Sequence, residues 1–188
     1  QGAQIWPFTL RFRDEEGGTL NWATQELFGD PWNPIAGSNW AFDQGAIRAT
    51  QSGDYMYDPY TGLLWPLRLE KADVVVQEGL PVGKTLDWVS LEFAPEIQVP
   101  ADAWADWDAE TQMFVPAGDG VTALRKTTVY YPADLFETVK WHNGSNLSMA
   151  DVIMGMIMTF DRAKEASAIY DEQAVPGFLP FMENFKGM

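Results

Sequence analysis

The chain contains a single histidine, His142, within the stretch Val-Lys-Trp-His-Asn-Gly-Ser that starts at Val139. A histidine that serves as a general base or a metal ligand needs partners such as a serine, a carboxylate or further histidines and cysteines. The sequence has no cysteine, no second histidine and no Gly-x-Ser-x-Gly nucleophile elbow. We therefore interpret His142 as part of a structural turn, and we predict no catalytic residue and no enzymatic activity.

A second candidate for a chemical site is an acidic run, in which Asp106, Asp108 and Glu110 occupy alternate positions. This spacing copies the first ligands of a calcium loop, but the sixth position is Thr111 instead of glycine and the twelfth is Ala117 instead of glutamate. A solvated acidic turn is the favoured interpretation, so we predict no metal site and no cofactor. The many carboxylates also leave a glycoside-acting enzyme as an alternative, since two acids suffice for that chemistry.

Tryptophan is the residue type with the clearest potential for ligand binding. Five of the nine occur in sequence rich in Gly, Pro, Asn and Asp, namely Trp32, Trp40, Trp65, Trp104 and Trp107. A tryptophan ring can stack on a sugar or a peptide, while amides at its edge fix the orientation of the ligand. The alternative is that such rings anchor long loops to the core.

The stretch Trp-Asn-Pro-Ile-Ala-Gly-Ser-Asn-Trp places two of these rings beside two amides. Its proline and glycine favour a compact turn, which would bring rings and amides onto one surface. We predict that this surface binds the ligand, with Trp40 and Asn39 as the first candidates and Trp32 and Asn33 after them.

Length and charge limit the classes of function. The 188 residues suffice for one substantial domain or two small ones. Lys and Arg number 12 against 27 Asp and Glu, and a net charge of −15 argues against binding to nucleic acid or to anionic membrane surfaces. No apolar run approaches the roughly 20 residues of a membrane span, so direct membrane insertion is not expected. Because the chain stops after Glu-Asn-Phe-Lys-Gly-Met, we expect a single domain or a fragment of a larger protein.

Alternating apolar residues and β-branched runs predict short strands. These strands fall at residues 7–13, 72–79, 86–93, 96–100, 127–132 and 137–141. Residues 101–115 are predicted to form a short helical turn or loop that leads into a strand, and the Gly- and Pro-rich residues 21–66 to form irregular loops.

After Asn143-Gly144 the pattern changes from strand to helix. Ser148 and Asp151 resemble a capping box, and the apolar residues that follow recur at helical spacing, which predicts a helix with one face in the core. Its exposed side is predicted to carry Asp161, Arg162, Lys164 and Glu165. Three of its four methionines, at 149, 154, 156 and 158, are interpreted as core filling.

A second helix is predicted to follow Pro-Gly-Phe-Leu-Pro, around Phe181 to Phe185. The fold class is therefore α+β: a mixed or antiparallel sheet with long aromatic-rich loops and with C-terminal helices packed on the sheet. Residues 1–144 are expected to be mainly strands and loops, and residues 145–188 mainly helical.

The segment VKWHNGSNLSMADVIMGMIMTFDRA resembles one shared by extracytoplasmic solute-binding proteins of the peptide/nickel (family 5) ABC importers. In that family a strand ends in a Trp/Phe-His-Asp/Asn-Gly turn, and an apolar helix then begins with Ala-Asp-Val. The corresponding residues here are Trp141 to Gly144 and Ala150 to Val152. The stretches WNPIAGSNWAFD and YDPYTGLLWPLRLEKADVVVQEGLPV look like the earlier part of a divergent member, so the resemblance spans Trp32 to Phe160.

The resemblance implies part of one lobe of a periplasmic-binding-protein-like fold, in a longer two-lobed protein. It implies a non-catalytic solute-binding component of a bacterial ABC import system, which captures a peptide, an oligosaccharide or a similar solute for a permease. Such a protein is extracytoplasmic, in the periplasm or at the cell surface, where a lipid anchor can hold it. The acidic insert between Leu91 and Thr127 departs from the family pattern and leaves the ligand class open. A stand-alone extracellular carbohydrate-binding module is the main alternative.

Overall fold

The computed structural model describes residues 53–58 and 60–188, together with residues 17–19, 21, 37–38, 43–44 and 47. The chain divides into two compact units, Gln1–Ser52 and Gly53–Met188, and the architecture below is that of the second unit. The strand predicted at residues 7–13 lies outside the described residues, as does most of the predicted irregular segment before residue 53.

Strands and helices together give the second unit the α+β fold that the sequence predicts. Its strands are β1 (Tyr55–Tyr57), β2 (Leu64–Pro66), β3 (Lys71–Gln77), β4 (Val89–Ala94), β5 (Ile97–Gln98), β6 (Trp104–Asp108), β7 (Met113–Pro116), β8 (Thr122–Ala123) and β9 (Arg125–Tyr130). Its helices are α1 (Leu135–Thr138), α2 (Met149–Asp161) and α3 (Val175–Asn184), and a 3₁₀ turn at Glu172–Ala174 precedes α3.

The largest sheet has three strands in the order β4-β3-β9. β3 runs parallel to β4 and antiparallel to β9, so the sheet is mixed, as predicted. Successive side chains of β3 point to opposite faces. Ala72 and Val76 are buried on one face, whereas Lys71 and Asp73 lie on the other, more accessible face. The remaining strands form three two-stranded sheets, which pair β1 with β2, β5 with β8, and β6 with β7.

The hairpin β6–β7 corrects the prediction of a helical turn or loop at residues 101–115. Asp108 Oδ1 accepts hydrogen bonds from the backbone N–H groups of Glu110 (2.9 Å) and Thr111 (3.1 Å). This side-chain-to-backbone turn, with Gln112 at a positive φ of 55°, reverses the chain so that the flanking residues pair as strands. The alternating acids are therefore explained by a turn between two strands.

Three further predictions about chain segments are wrong in part. Residues 21–66 were predicted to form irregular loops, but β1 and β2 within this segment pair as an antiparallel hairpin. The strand expected at residues 137–141 overlaps α1, and only Lys140 pairs in a strand-like manner, in an isolated bridge with Asn146. Helix α3 begins before Phe181, because Pro176 fits the first turn of a helix, where an N–H donor is not required. Pro180 then lies inside the helix.

Helix α2 is present where the sequence predicts it, and its capping box is confirmed. The backbone N–H and the hydroxyl of Ser148 donate to Asp151 Oδ2 at 2.8 Å and 2.7 Å. The backbone N–H of Asp151 donates in turn to the carbonyl oxygen of Ser148 at 3.1 Å. These reciprocal bonds satisfy groups that are otherwise unpaired at a helix start, and so fix where α2 begins.

The core around the helices is an aromatic cluster centred on Phe160, whose side chain has no exposed area. Four rings have their centroids 5.8–6.1 Å from that of Phe160, and they belong to Trp104, Phe178, Phe181 and Phe185. Helix α2 thus packs against β6 of the hairpin, rather than chiefly on the three-stranded sheet as expected.

The predicted apolar face of α2 is buried only towards its C-terminal end. Met156 and Ile157 are half-buried, whereas Val152 and Ile153 are exposed. Core filling was predicted for three of the four methionines, but Met149 and Met154 are both exposed, so at most two of the four can fill the core. Asp161, expected on the solvent side, is instead buried, because it is carried by the turn that holds Phe160 in the cluster.

Candidate functional site

The candidate binding surface is the β1–β2 hairpin, residues 53–67, which we call the aromatic hairpin. Its turn is built by Asp58, whose Oδ1 accepts the backbone N–H groups of Tyr60 (2.7 Å) and Thr61 (3.3 Å). The backbone N–H of Asp58 donates to the carbonyl oxygen of Leu63 at 2.8 Å, and Gly62 takes a positive φ of 69°. The result is a closed turn with fixed strand register.

The aromatic hairpin presents four exposed rings. Tyr55 and Tyr57 are two residues apart on β1 and share one face, whereas Met56 pairs with Trp65 of β2 on the other face. The exposed fractions are 67% for Tyr57, 74% for Tyr60 and 61% for Trp65, and Tyr55 is also more than half exposed. The rings of the two strands therefore lie on both faces of the hairpin, and exposed large aromatic side chains are a feature of interaction surfaces.

Hydrogen bonds attach the aromatic hairpin to the three-stranded sheet. Trp88 Nε1, just before β4, donates to the carbonyl oxygen of Leu64 at 3.0 Å. The hydroxyl of Tyr131, just after β9, donates to Asp54 Oδ2 at 3.0 Å. Partial burial and this bond to Asp54 raise the pKa of Tyr131 to about 12, so its hydroxyl remains a donor at neutral pH. The exposed rings therefore stand on an anchored support.

The charge of the aromatic hairpin is negative. Residues 53–67 contain two acids, Asp54 and Asp58, and no lysine or arginine. Both carboxylates are half-buried and are held in place by the bonds described above. The surface thus combines aromatic rings with fixed negative charge.

The Trp-His-Asn-Gly segment forms a compact turn that is separate in sequence from the aromatic hairpin. The backbone N–H of Trp141 donates to the carbonyl oxygen of Ser145 at 2.8 Å, and that of Gly144 donates to the carbonyl oxygen of Trp141 at 2.8 Å. Asn143 Oδ1 accepts both the backbone N–H and the hydroxyl of Ser145. His142 is exposed on this turn, and no hydrogen bond links its imidazole to the part of the chain that the structure describes. The backbone and Asn143 therefore hold the turn, and the structural role of the His142 side chain stays a prediction.

The acids that resemble a calcium loop have structural partners. Lys164 Nζ lies 2.6 Å from Asp106 Oδ1 and also donates to the carbonyl oxygen of Trp107. The backbone N–H groups of Thr111 and Glu110 lower the pKa of Asp108. In residues 53–58 and 60–188, and in the few described before them, no three His, Asp or Glu side chains group in a way that could hold a metal ion.

The four residues predicted to bind a ligand, Trp32, Asn33, Asn39 and Trp40, lie outside the described residues. Of the other tryptophans in loop-like sequence, Trp65 belongs to the aromatic hairpin, while Trp104 and Trp107 lie on β6 at the aromatic cluster. The tyrosines of β1 were missed as candidates. An Asp-x-x-Thr-Gly turn flanked by aromatic residues on both sides was the signal that could have revealed them.

None of the helices in the described residues is long and apolar enough to cross a membrane. Comparisons of the chain with protein-family models, with curated proteins and with solved structures give no match.

Proposed function

We propose that the chain is a solute-binding component of an ABC import system, which captures a peptide, an oligosaccharide or a similar solute outside the cytoplasm and presents it to a permease. The observation that supports this most is the fold of the segment that resembles the importer family. Residues 141–145 form a hydrogen-bonded turn, and Ser148 then starts α2 through its capping box with Asp151. In this proposal the segment is a structural element of one lobe.

Other residues must then bind the solute, and the exposed rings of the aromatic hairpin are the surface best suited to this. Tyr57, Tyr60 and Trp65 expose ring faces to which the apolar face of a sugar or the side chains of a peptide can pack. Covering about 100 Å² of apolar ring surface is worth roughly 2.5 kcal/mol at about 25 cal/mol per Å². Two or three covered rings would thus offset much of the entropy lost on binding.

A stand-alone carbohydrate-binding module is a second candidate, which the same exposed rings favour. Such a module would place one face of the aromatic hairpin, that of Tyr55 and Tyr57 or that of Trp65, against a polysaccharide surface. The two functions differ in the ligand: an importer component binds short soluble solutes, whereas a module of this kind binds insoluble polysaccharide.

The test is isothermal titration calorimetry of the chain with panels of short peptides and soluble oligosaccharides, beside pull-down on insoluble polysaccharides. We expect binding to members of at least one soluble panel and a clear loss of affinity in Trp65→Ala. His142→Ala should keep the affinity within a few fold, because its turn is structural. Binding to insoluble polysaccharide alone would favour the module. A folded chain that binds none of these ligands would contradict both functions.

A further inference from the structure

Asn143 and Gly144 are the one place in the sequence where an asparagine directly precedes a glycine, and both residues lie in the exposed turn before α2. We propose that the side chain of Asn143 is a site of spontaneous modification, at which the amide is lost and the residue becomes aspartate or isoaspartate, and that Ser145 activates this reaction. The reaction needs only the turn itself and water, so it does not depend on solute binding.

The modification begins with the closure of a ring within the chain. The backbone nitrogen of Gly144 attacks Cγ of Asn143, a bond forms between these atoms, and the Cγ–Nδ2 bond breaks. The leaving nitrogen departs as ammonia and takes with it the proton that the Gly144 nitrogen gives up. Water then adds to one of the two carbonyl carbons of the cyclic imide and breaks its bond to nitrogen, which yields aspartate or isoaspartate. Attack within one chain avoids the entropy cost of a bimolecular step, and glycine places no side chain beside the nucleophile.

Two hydrogen-bond donors lie on the oxygen at which negative charge develops during the attack. This oxygen is Oδ1 of Asn143, which becomes an oxyanion in the tetrahedral intermediate. The backbone N–H of Ser145 donates to it at 2.9 Å, and the hydroxyl of Ser145 donates to it at 2.7 Å. Donors that already point at a developing oxyanion lower the barrier, as they do in the oxyanion holes of enzymes. Ser145 therefore activates the side chain of Asn143 towards attack.

The leaving group and the entering water are both unhindered. Asn143 Nδ2 donates no hydrogen bond to any residue that the structure describes, so ammonia departs without breaking a contact within this part of the chain. Residues 141–146 are all exposed, which gives water access to the imide.

One hydrogen bond of the turn opposes the reaction. The backbone N–H of Gly144 donates to the carbonyl oxygen of Trp141 at 2.8 Å, and this bond must open before the nitrogen can attack. The bond lies in an exposed turn, where water can take the place of the carbonyl oxygen, and solvent-exposed backbone hydrogen bonds of this kind open locally at low cost. We therefore expect the activation by Ser145 to decide the outcome.

The two products differ in their effect on the turn. Aspartate keeps an oxygen that can accept the bonds from Ser145, and it adds one negative charge next to His142. Isoaspartate leads the main chain through the former side chain, which lengthens the backbone and disrupts the 2.8 Å bond between the N–H of Trp141 and the carbonyl oxygen of Ser145. Modification thus alters the turn directly before the capping box of α2.

The experiment is incubation of the folded chain for several days at mildly alkaline pH, followed by peptide mapping with mass spectrometry. We expect Asn143 to be converted while Asn146 and Asn184 stay intact. Both of these are also exposed, but each precedes a residue with a bulky side chain, and so they are controls within the same molecule.

The variant that tests the activation is Ser145→Ala, which removes the hydroxyl donor and should slow the conversion of Asn143 by about threefold or more. Ser145→Thr keeps a hydroxyl and should restore most of the rate. Ser90→Ala is the matched control and should leave the rate unchanged, because this exposed serine also donates to a side-chain oxygen, Asp73 Oδ1 at 2.6 Å, but lies on β4.

Two results would overturn the proposal. If Asn143 is converted in urea but stays intact in the folded chain, the bond between Gly144 and Trp141 protects the pair. If Ser145→Ala is converted at the rate of the unmodified chain or faster, with an unchanged circular dichroism spectrum, Ser145 does not activate the reaction.

Discussion

Lys164 Nζ is 2.6 Å from Asp106 Oδ1, so a cation three residues past the end of α2 is paired with a carboxylate on β6. The same ammonium group donates to the carbonyl oxygen of Trp107. Both side chains of the ion pair are partly buried, at 24% and 34% exposure. The pair therefore joins the helix and the hairpin at the place where the rings of Trp104 and Phe160 stack.

We predict that this ion pair contributes to stability. Lys164→Met, Asp106→Asn and the double variant form a thermodynamic cycle, and urea denaturation should give a coupling energy of about 1 kcal/mol, in the range of a charged hydrogen bond that is partly screened by solvent. The exposed pair Lys71–Asp73, at 3.7 Å, is the matched control and should show no measurable coupling. Equal coupling energies for the two pairs would contradict the expectation that partial burial makes the Lys164–Asp106 pair the stronger one.

The aromatic cluster should depend most on its central ring. Phe160→Ala removes a fully buried side chain that four other rings contact, and we expect a loss of about 3–5 kcal/mol in the free energy of unfolding. Val152→Ala, on the exposed part of the same helix, should stay within about 0.5 kcal/mol of the unmodified chain. Chemical denaturation of the three proteins measures both effects. Similar losses for the two variants would show that the exposed part of α2 is covered in solution.

Asp161 is predicted to reduce stability. Its side chain is only 7% exposed, it accepts no hydrogen bond from the described residues, and it ends α2, where the helix dipole disfavours negative charge. Asp161→Asn should therefore raise the midpoint of thermal unfolding by a few degrees, equivalent to about 1 kcal/mol. Asp171→Asn is the control: Asp171 accepts a hydrogen bond from Arg162 at 3.2 Å, and its change should lower the midpoint. A lower midpoint in Asp161→Asn would show that the carboxylate has a partner in solution.

The capping box of α2 should make stability depend on pH at the acid end. The hydroxyl of Ser148, followed by its backbone N–H, lowers the pKa of Asp151 below the usual 3.8. A carboxyl whose pKa is lower in the folded state stabilises the fold above the unfolded-state pKa, and this contribution is lost as the pH falls through the folded-state pKa. The difference in melting temperature between the unmodified chain and Asp151→Asn should thus be constant above about pH 4 and shrink below it. Ser148→Ala removes the main hydrogen-bond donor to Asp151 and should reduce this pH dependence. If the melting-temperature difference between the unmodified chain and Asp151→Asn stays the same at every pH, the Asp151 carboxylate is not the source of the stabilisation.

Elements with local signals could be predicted from the sequence. The β-branched run of β3 and the Ser148–Asp151 spacing of α2 decide their own structure, because the interactions that form them lie within a few residues. The hairpin β6–β7 was missed, since its turn depends on one side chain, Asp108, bonding to the backbone in a sequence that also resembles a calcium loop. Helical periodicity predicted which residues of α2 share a face, but not how much of that face is covered.

The candidate site is harder to predict from the sequence than the strands and helices are, because it depends more on tertiary structure. An aromatic residue in a Gly- and Pro-rich segment is equally consistent with a core anchor and with an exposed ring, and Trp104 and Trp65 illustrate the two outcomes. Periodicity predicts Asp161 on the solvent side, because the pattern within α2 carries no information about the packing of Phe181 and Phe185 around Phe160. Exposure and burial of these residues follow from contacts between segments that are distant in the chain.

The aromatic cluster also sets an order of events during synthesis. Trp104 leaves the ribosome long before Phe181 and Phe185, and at about 5–20 residues per second the interval lasts several seconds. During this interval the ring partner of Trp104, Phe160, has not yet been enclosed by Phe181 and Phe185, and the apolar strand β7 lies beside Trp104 in the nascent hairpin. The aromatic cluster is thus complete only when the C-terminal residues of the chain have been made and Phe185 has joined Phe160.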